Sequence, residues 1–141
     1  MRHYLTVRRH FSAAHRIFNE KYSDAKNAEV FGACSHPNYH GHNYELEVTV
    51  RGEPAPETGM ILDAKRLKDI VREALIDPMD HRNLNLDVPF MKGVIPTAEN
   101  IAAVCFRVLE KQLATGTLYE VRLFETERSV AKRVIAFLED R

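Results

Sequence analysis

The chain has 141 residues, 45% hydrophobic and 28% charged, which is ordinary globular composition at the length of one domain. Twenty basic side chains balance twenty acidic ones, so no global field draws the protein to nucleic acid or to a membrane surface, and an anionic ligand has to be met locally. No apolar run approaches the roughly 18 residues of a membrane span, the N-terminus lacks a secretory core, and two cysteines cannot build a disulfide framework, so a cytoplasmic protein with free thiols is expected.

In chain order, His3 to His15 alternates: His3, Leu5, Val7, Phe11 and Ala13 share a face with His15, and Tyr4, Thr6, Arg8, His10 and Ser12 take the other. This reads as a first strand that delivers His15 at its end on the apolar face. From Arg16 to Ala33 no clean period holds, which predicts a long loop with at most a helical turn; such loops are often functional, and this one leads to Cys34. The stretch from Cys34 to Asn43, Cys-Ser-His-Pro-Asn-Tyr-His-Gly-His-Asn, then places one thiol and three imidazoles close together. His40 and His42 are two apart, so an extended backbone sends both to one face. Gly41 between them allows the backbone to lie close to a neighbour or a ligand. A second strand from His42 to Gly52 keeps Tyr44, Leu46, Val48 and Val50 on the histidine face, with Asn43, Glu45, Glu47, Thr49 and Arg51 opposite. Pro54 and Pro56 stop the sheet.

Asp63 is a candidate N-cap for a helix whose apolar stripe is Leu67, Ile70, Val71, Ala74 and Leu75, with Pro78 ending it. A polar turn follows, Asp77 to Asn85, containing Asp80 beside His81. Pro89, Gly93 and Pro96 mark irregular chain. Thr97 then caps a second helix, with Glu99 in the first turn where a carboxylate favours the positive end of the macrodipole. Its stripe is Ile101, Val104, Cys105, Val108, Leu109 and Leu113, and Gly116 terminates it. A third strand places Tyr119, Val121, Leu123 and Glu125 on one face, and a fourth runs from Ser129 to Leu138. The order ββααββ predicts an α+β domain spanning residues 1–141, a four-stranded antiparallel sheet with both helices on one face.

Three imidazoles at His15, His40 and His42 make a possible zinc site with the fourth tetrahedral position open. The competing reading, hydrogen-bonded histidines at strand ends, suits any one of them alone better than all three on like faces. His3 and His10 read as surface residues, and His36 as spare. Cys34 would act as a base or nucleophile if imidazolium or metal charge stabilised its thiolate; a structural thiol is the alternative. Cys105, inside an apolar stripe, reads as core. Asp80 and His81 offer a carboxylate that orients an imidazole, but sequence neighbours do not meet side chain to side chain along a strand, so the pair needs a turn. Glu125, in line with apolar residues, must accept hydrogen bonds from an internal arginine or from a ligand's N–H groups.

Phe11-Ser12-Ala13-Ala14-His15-Arg16, Phe31-Gly32-Ala33-Cys34 through His40-Gly41-His42-Asn43-Tyr44, Met79-Asp80-His81-Arg82-Asn83-Leu84, Pro96-Thr97-Ala98-Glu99-Asn100 and Phe124-Glu125-Thr126 occur in one order across nearly the whole chain. Together they resemble the 6-pyruvoyltetrahydropterin synthase family, which also includes the 6-carboxytetrahydropterin synthases of queuosine biosynthesis. The resemblance implies the tunnelling fold, whose subunits join their sheets into a barrel, usually as a homohexamer of two trimers. It implies zinc held by His15, His40 and His42, with Cys34, Asp80 and His81 catalytic. It also implies a pterin ring anchored by Glu125, with Thr97 and Glu99 as further substrate contacts. The implied reaction is conversion of 7,8-dihydroneopterin triphosphate to 6-pyruvoyltetrahydropterin with loss of triphosphate, as in tetrahydrobiopterin biosynthesis. The 6-carboxy product from the same substrate is the alternative. Five residues separate Cys34 from His40, where the carboxy-forming enzymes more often have three, and this favours the pyruvoyl branch. Ser35-His36 and Tyr39 depart from that branch, which commonly has Asn-Asn before the proline and Gly before His-Gly-His. A non-catalytic metal- or pterin-binding relative is a third reading, against which the joint retention of Cys34, Asp80, His81 and Glu125 argues.

Overall fold

The computed structural model describes residues 2–136. Two long strands, β1 (His3–His15) and β2 (His40–Gly52), pair antiparallel along their whole length, with Val7 opposite Val48 and His15 opposite His40. β4 (Leu118–Thr126) pairs antiparallel with β2, and β5 (Ser129–Val134) with β4. A two-residue strand, β3 (Arg82–Asn83), adds to the other side of β1 in the parallel sense, giving the order β3-β1-β2-β4-β5. The four-stranded antiparallel sheet is thus present, with a short fifth strand beyond expectation. β3 forms through main-chain hydrogen bonds such as Leu84 N–H to the Ala14 carbonyl, 2.8 Å, and so has no side-chain pattern to reveal it. The end of the predicted last strand, at Leu138, lies outside the described residues.

Alternation decides which face is buried. Val7, Phe11, Ala13 and His15 of β1, and Tyr44, Leu46, Val48 and Val50 of β2, all point inward. Each such fully buried aliphatic side chain stabilises the fold by about 1.5–3 kcal/mol. On β4 the inward set is Leu118, Val121 and Leu123, because the register shifts between Thr49 and Val50 and puts Leu118 where Tyr119 was expected. The opposite face is polar. There Thr6 pairs with Thr49, Ser12 with Asn43, and the buried Glu47 carboxylate with both Arg8 and Arg122.

Two main helices cover the apolar face, α2 (Ala64–Val71) over β1 and α4 (Ala98–Glu110) over β4 and β5. Their caps are the expected ones: Asp63 accepts from Lys65 N–H at 3.0 Å, and Thr97 from Asn100 N–H at 3.2 Å. Pro78 does not end the first of them. A π turn at Arg72–Ile76 widens the helix, Asp77 N–H reaches back to the Arg72 carbonyl, and the chain continues into α3 (Asp77–Met79). Pro78 lies in the first turn of α3, directly after the π turn. The predicted loop after β1 contains an ordered helix, α1 (Asp24–Phe31), capped by Ser23 and followed by a tight turn at Gly32–Ser35. Asn27 fixes it to the preceding chain, its side chain bonding both the N–H and the carbonyl of Asn19.

Candidate active site

β1 and β2 run together at the end where both carry histidines. His15 opposes His40, and Ala13 opposes His42. All three imidazoles lie on the apolar face, and their ligand nitrogens fall within 4.8 Å of one another. The rings meet edge-on, with centroids 4.6 Å apart for His15 and His40 and 5.0 Å for His40 and His42. Gly41 is the reason the strands can close here: a Cβ on it would sit 3.3 Å from the Ala13 carbonyl oxygen.

The chemistry of each nitrogen follows from its partner. His15 is fully buried, and its Nδ1 lies 2.9 Å from the Pro96 carbonyl. A carbonyl only accepts, so Nδ1 carries the proton and Nε2 is left with a lone pair. That Nε2 is buried without a hydrogen-bond partner, as is Nε2 of His42. Two orphaned imidazole nitrogens beside a third ring are what a three-nitrogen metal site presents, so the donor set fits zinc. Burial lowers the pKa of both His15 and His42, the nearby Glu125 carboxylate opposing that shift, so both favour the neutral form a metal requires.

Glu125 reaches the same place from β4. Its Oε1 lies 3.5 Å from His42 Nε2, an approach without a hydrogen bond, and both side chains are one-fifth exposed. The carboxylate therefore borders the triad with its acceptor capacity open to a ligand. Cys34 comes from the tight turn after α1 and is partly exposed; its carbonyl accepts from Ile17 N–H at 2.8 Å, which ties that turn to the end of β1. Tyr44, two residues past His42, is fully buried with its hydroxyl 3.2 Å from His15 Nδ1.

Asp80 and His81 do meet. His81 takes a left-handed conformation, φ 60°, which bends the chain so that its Nδ1 lies 2.9 Å from Asp80 Oδ2. The dyad is fastened to β1: Ser12 N–H donates to Asp80 Oδ1 at 2.9 Å, and His81 N–H donates to the Ser12 carbonyl at 2.6 Å. The Ser12 N–H is the largest influence holding the Asp80 carboxyl below its usual pKa, and His81 adds to it. Within one chain the dyad contacts β1 rather than the triad, and His81 and His42 line a shared open cleft of about 570 Å³. Thr97 spends its hydroxyl oxygen capping α4, one residue beyond the Pro96 carbonyl that holds His15, and Glu99 is exposed on the same first turn. His36 accepts from Asn38 N–H and stays outside the cluster, and His3 and His10 lie on the surface, as read from the sequence. Sequence reasoning passed over Pro96 and Tyr44. A backbone carbonyl has no sequence signal, and Tyr44 looked like one more apolar position; its only clue was a hydroxyl at the spacing of the histidines.

An α+β sheet whose strand ends gather three imidazoles within 4.8 Å of one another, with a carboxylate alongside, presents a donor set that could hold a metal ion. The sequence profile of the 6-pyruvoyl tetrahydropterin synthase family matches residues 4–134. The chain belongs to that family. It is 44% identical over 120 residues to a human protein named 6-pyruvoyl tetrahydrobiopterin synthase, covering 85% of this chain and 83% of that one. A protein of Aquifex aeolicus named 6-carboxy-5,6,7,8-tetrahydropterin synthase is 30% identical over 152 aligned positions, covering 86% and 91%. The solved structure of Caenorhabditis elegans 6-pyruvoyl tetrahydropterin synthase superimposes with a TM-score of 0.91 at 39% identity, covering 96% of this chain and 97% of that one. Among the described residues no helix is long and apolar enough to cross a membrane.

Proposed function

We infer that this chain is a lyase that converts 7,8-dihydroneopterin triphosphate to 6-pyruvoyltetrahydropterin with loss of triphosphate, as in tetrahydrobiopterin biosynthesis. The observation that carries the reading is the pair of buried, unpartnered Nε2 atoms of His15 and His42 beside His40, with Glu125 at 3.5 Å. Family membership supplies the substrate class. The pyruvoyl product is favoured over the 6-carboxy product because relatives bearing the pyruvoyl name reach 44% and 46% identity while a carboxy-named relative stands at 30%.

Zinc is the metal that three neutral imidazoles suit, and when bound it supplies a Lewis acid that orients and acidifies the hydroxyls of the substrate side chain. The rest is done by this chain's own groups. The Pro96 carbonyl keeps the proton of His15 on Nδ1, so Nε2 faces the centre. Glu125 accepts from the ring amino and N–H groups of the pterin, which gives its open acceptor capacity a partner. Cys34 removes a proton from the side chain as general base. Asp80 orients His81, and the dyad relays protons across the cleft it shares with His42 as triphosphate leaves. Thr97, whose hydroxyl hydrogen remains free to donate once its oxygen caps α4, and Glu99 lie next to Pro96 as further substrate contacts. Oxidation of the side chain is matched by reduction of the ring, so no external reductant enters.

In the cytoplasm the functional unit is a homohexamer, a dimer of trimers. Among the described residues no strand pairs with the outer edge of β5, which supports this, since a sheet ending in an exposed strand is completed by pairing with another copy. The decisive experiment incubates purified, zinc-loaded protein with 7,8-dihydroneopterin triphosphate and no reductant. Triphosphate is released together with a product of the 6-pyruvoyltetrahydropterin mass, and Cys34→Ala abolishes turnover while retaining zinc. Zinc-loaded protein that never releases triphosphate overturns the enzyme reading, and a 6-carboxy product mass replaces it with the other branch.

A further inference from the structure

We propose that Tyr44 is a positioning residue of the three-histidine centre, its hydroxyl sharing the Nδ1–H of His15 with the Pro96 carbonyl and so fixing where the His15 lone pair points. This rests on reading the triad as a metal centre. The geometry is a three-centre hydrogen bond: Nδ1 lies 2.9 Å from the Pro96 oxygen and 3.2 Å from the Tyr44 oxygen. Because the Pro96 carbonyl cannot donate, the shared hydrogen belongs to Nδ1, and the Tyr44 oxygen accepts. The phenolic hydrogen is then not spent on His15.

Two acceptors from separate elements act on one N–H. Pro96 stands just before α4, and Tyr44 stands in β2. One acceptor leaves an imidazole free to swing about that bond, whereas two hold the ring plane. Tyr44 is itself immobilised: its ring is fully buried and stacks on Phe11 with centroids 4.8 Å apart and planes 12° from parallel. It also stands edge-on to His15 at 5.9 Å and to His42 at 5.5 Å, so one rigid ring abuts two members of the triad. A phenylalanine would fill this space without burying a hydroxyl, which costs free energy unless it is bonded; the bond found for it is with His15.

The test is Tyr44→Phe, which keeps the ring and its stacking and removes only the oxygen. Zinc affinity of the metal-free full-length protein is measured by competition with a chromophoric chelator, and the cobalt-substituted form is examined for its d–d bands. We expect zinc affinity to fall about tenfold and the cobalt bands to shift, while the melting temperature of the metal-free protein is unchanged. Phe11→Leu serves as the second variant: it loosens the ring stack without removing the hydroxyl, and should lower the melting temperature while weakening zinc binding less than Tyr44→Phe does. The proposal is overturned if Tyr44→Phe binds zinc within twofold of the parent. It is also overturned if its affinity loss comes with a fall in metal-free stability, or if Phe11→Leu weakens zinc as much. Failure of the parent protein to bind zinc, or His40→Ala binding it undiminished, instead sinks the metal-centre reading itself.

Discussion

Gly41→Ala separates strand spacing from chain stability at the histidine triad. The new methyl would lie 3.3 Å from the Ala13 carbonyl oxygen and 3.9 Å from the Ala13 carbonyl carbon and Ala14 Cα. These are backbone atoms of a paired strand and cannot rotate away, so β1 and β2 must part by a few tenths of an ångström. Gly41 opposes Ala14 between the pairs His15–His40 and Ala13–His42, so the separation falls where the triad bridges the two strands. Metal–nitrogen distances tolerate only about ±0.2 Å, which is the size of the displacement. The effects on folding partly offset. Alanine removes unfolded-state entropy worth about 0.4–1 kcal/mol, while overpacking costs about 1–3 kcal/mol. A net loss of about 1 kcal/mol in urea denaturation of the metal-free protein is expected, alongside a zinc affinity lowered about tenfold, or about 1.4 kcal/mol. Measured under conditions where the variant is fully folded, a zinc Kd within twofold of the parent would refute the idea that the Gly41 approach sets the ligand spacing.

Asp80 gives a pH signature. Its folded pKa lies below the ordinary 3.8, chiefly through the Ser12 N–H, so its stabilisation is complete above that value and is lost as pH falls through the folded pKa. Asp80→Asn is therefore expected to be less stable than the parent at neutral pH, with the gap in urea midpoints closing in acid; a gap that does not change with pH contradicts the assignment. The two thiols should differ sharply. Burial pushes Cys105 up to about 12 and shields it, whereas Cys34 is partly exposed, so a thiol reagent near pH 8 should label one cysteine per native chain and the second only on unfolding. Labelling that survives Cys34→Ser in the native protein would count against this.

The sheet and its histidine face were legible because a period of two in the sequence is a period of two in burial: Tyr44, Leu46, Val48 and Val50 are all inaccessible, and the histidines at the strand's mouth follow them inward. The caps of α2 and α4 were legible because Asp63 and Thr97 act on backbone two or three residues away. α1 was not, since among its residues only Asn27 is buried and an apolar period cannot mark a helix held by polar contacts. The π turn and the bulge opposite Thr49 escaped for a related reason: each shifts a register without altering composition.

The candidate site shows the same division, with ligand identities readable and their supports not. His15, His40, His42 and Glu125 could be named from residue type and spacing, but the groups bonded to the His15 ring are a carbonyl and a phenol remote from it in sequence. Backbone conformation supplies the remaining evidence. Among the described residues two that are not glycine have positive φ, Tyr39 at 66° and His81 at 60°. Each position costs roughly 1–2 kcal/mol for a side chain-bearing residue, so neither persists without support from its surroundings. Tyr39 immediately precedes His40, and His81 is half of the dyad. The strain falls at the entry to β2, where the histidine cluster begins, and at the entry to β3, where the Asp80 carboxylate meets the His81 imidazole. Local rules that describe the rest of the chain are broken at these two points, each at or beside a residue to which the proposed function gives a role.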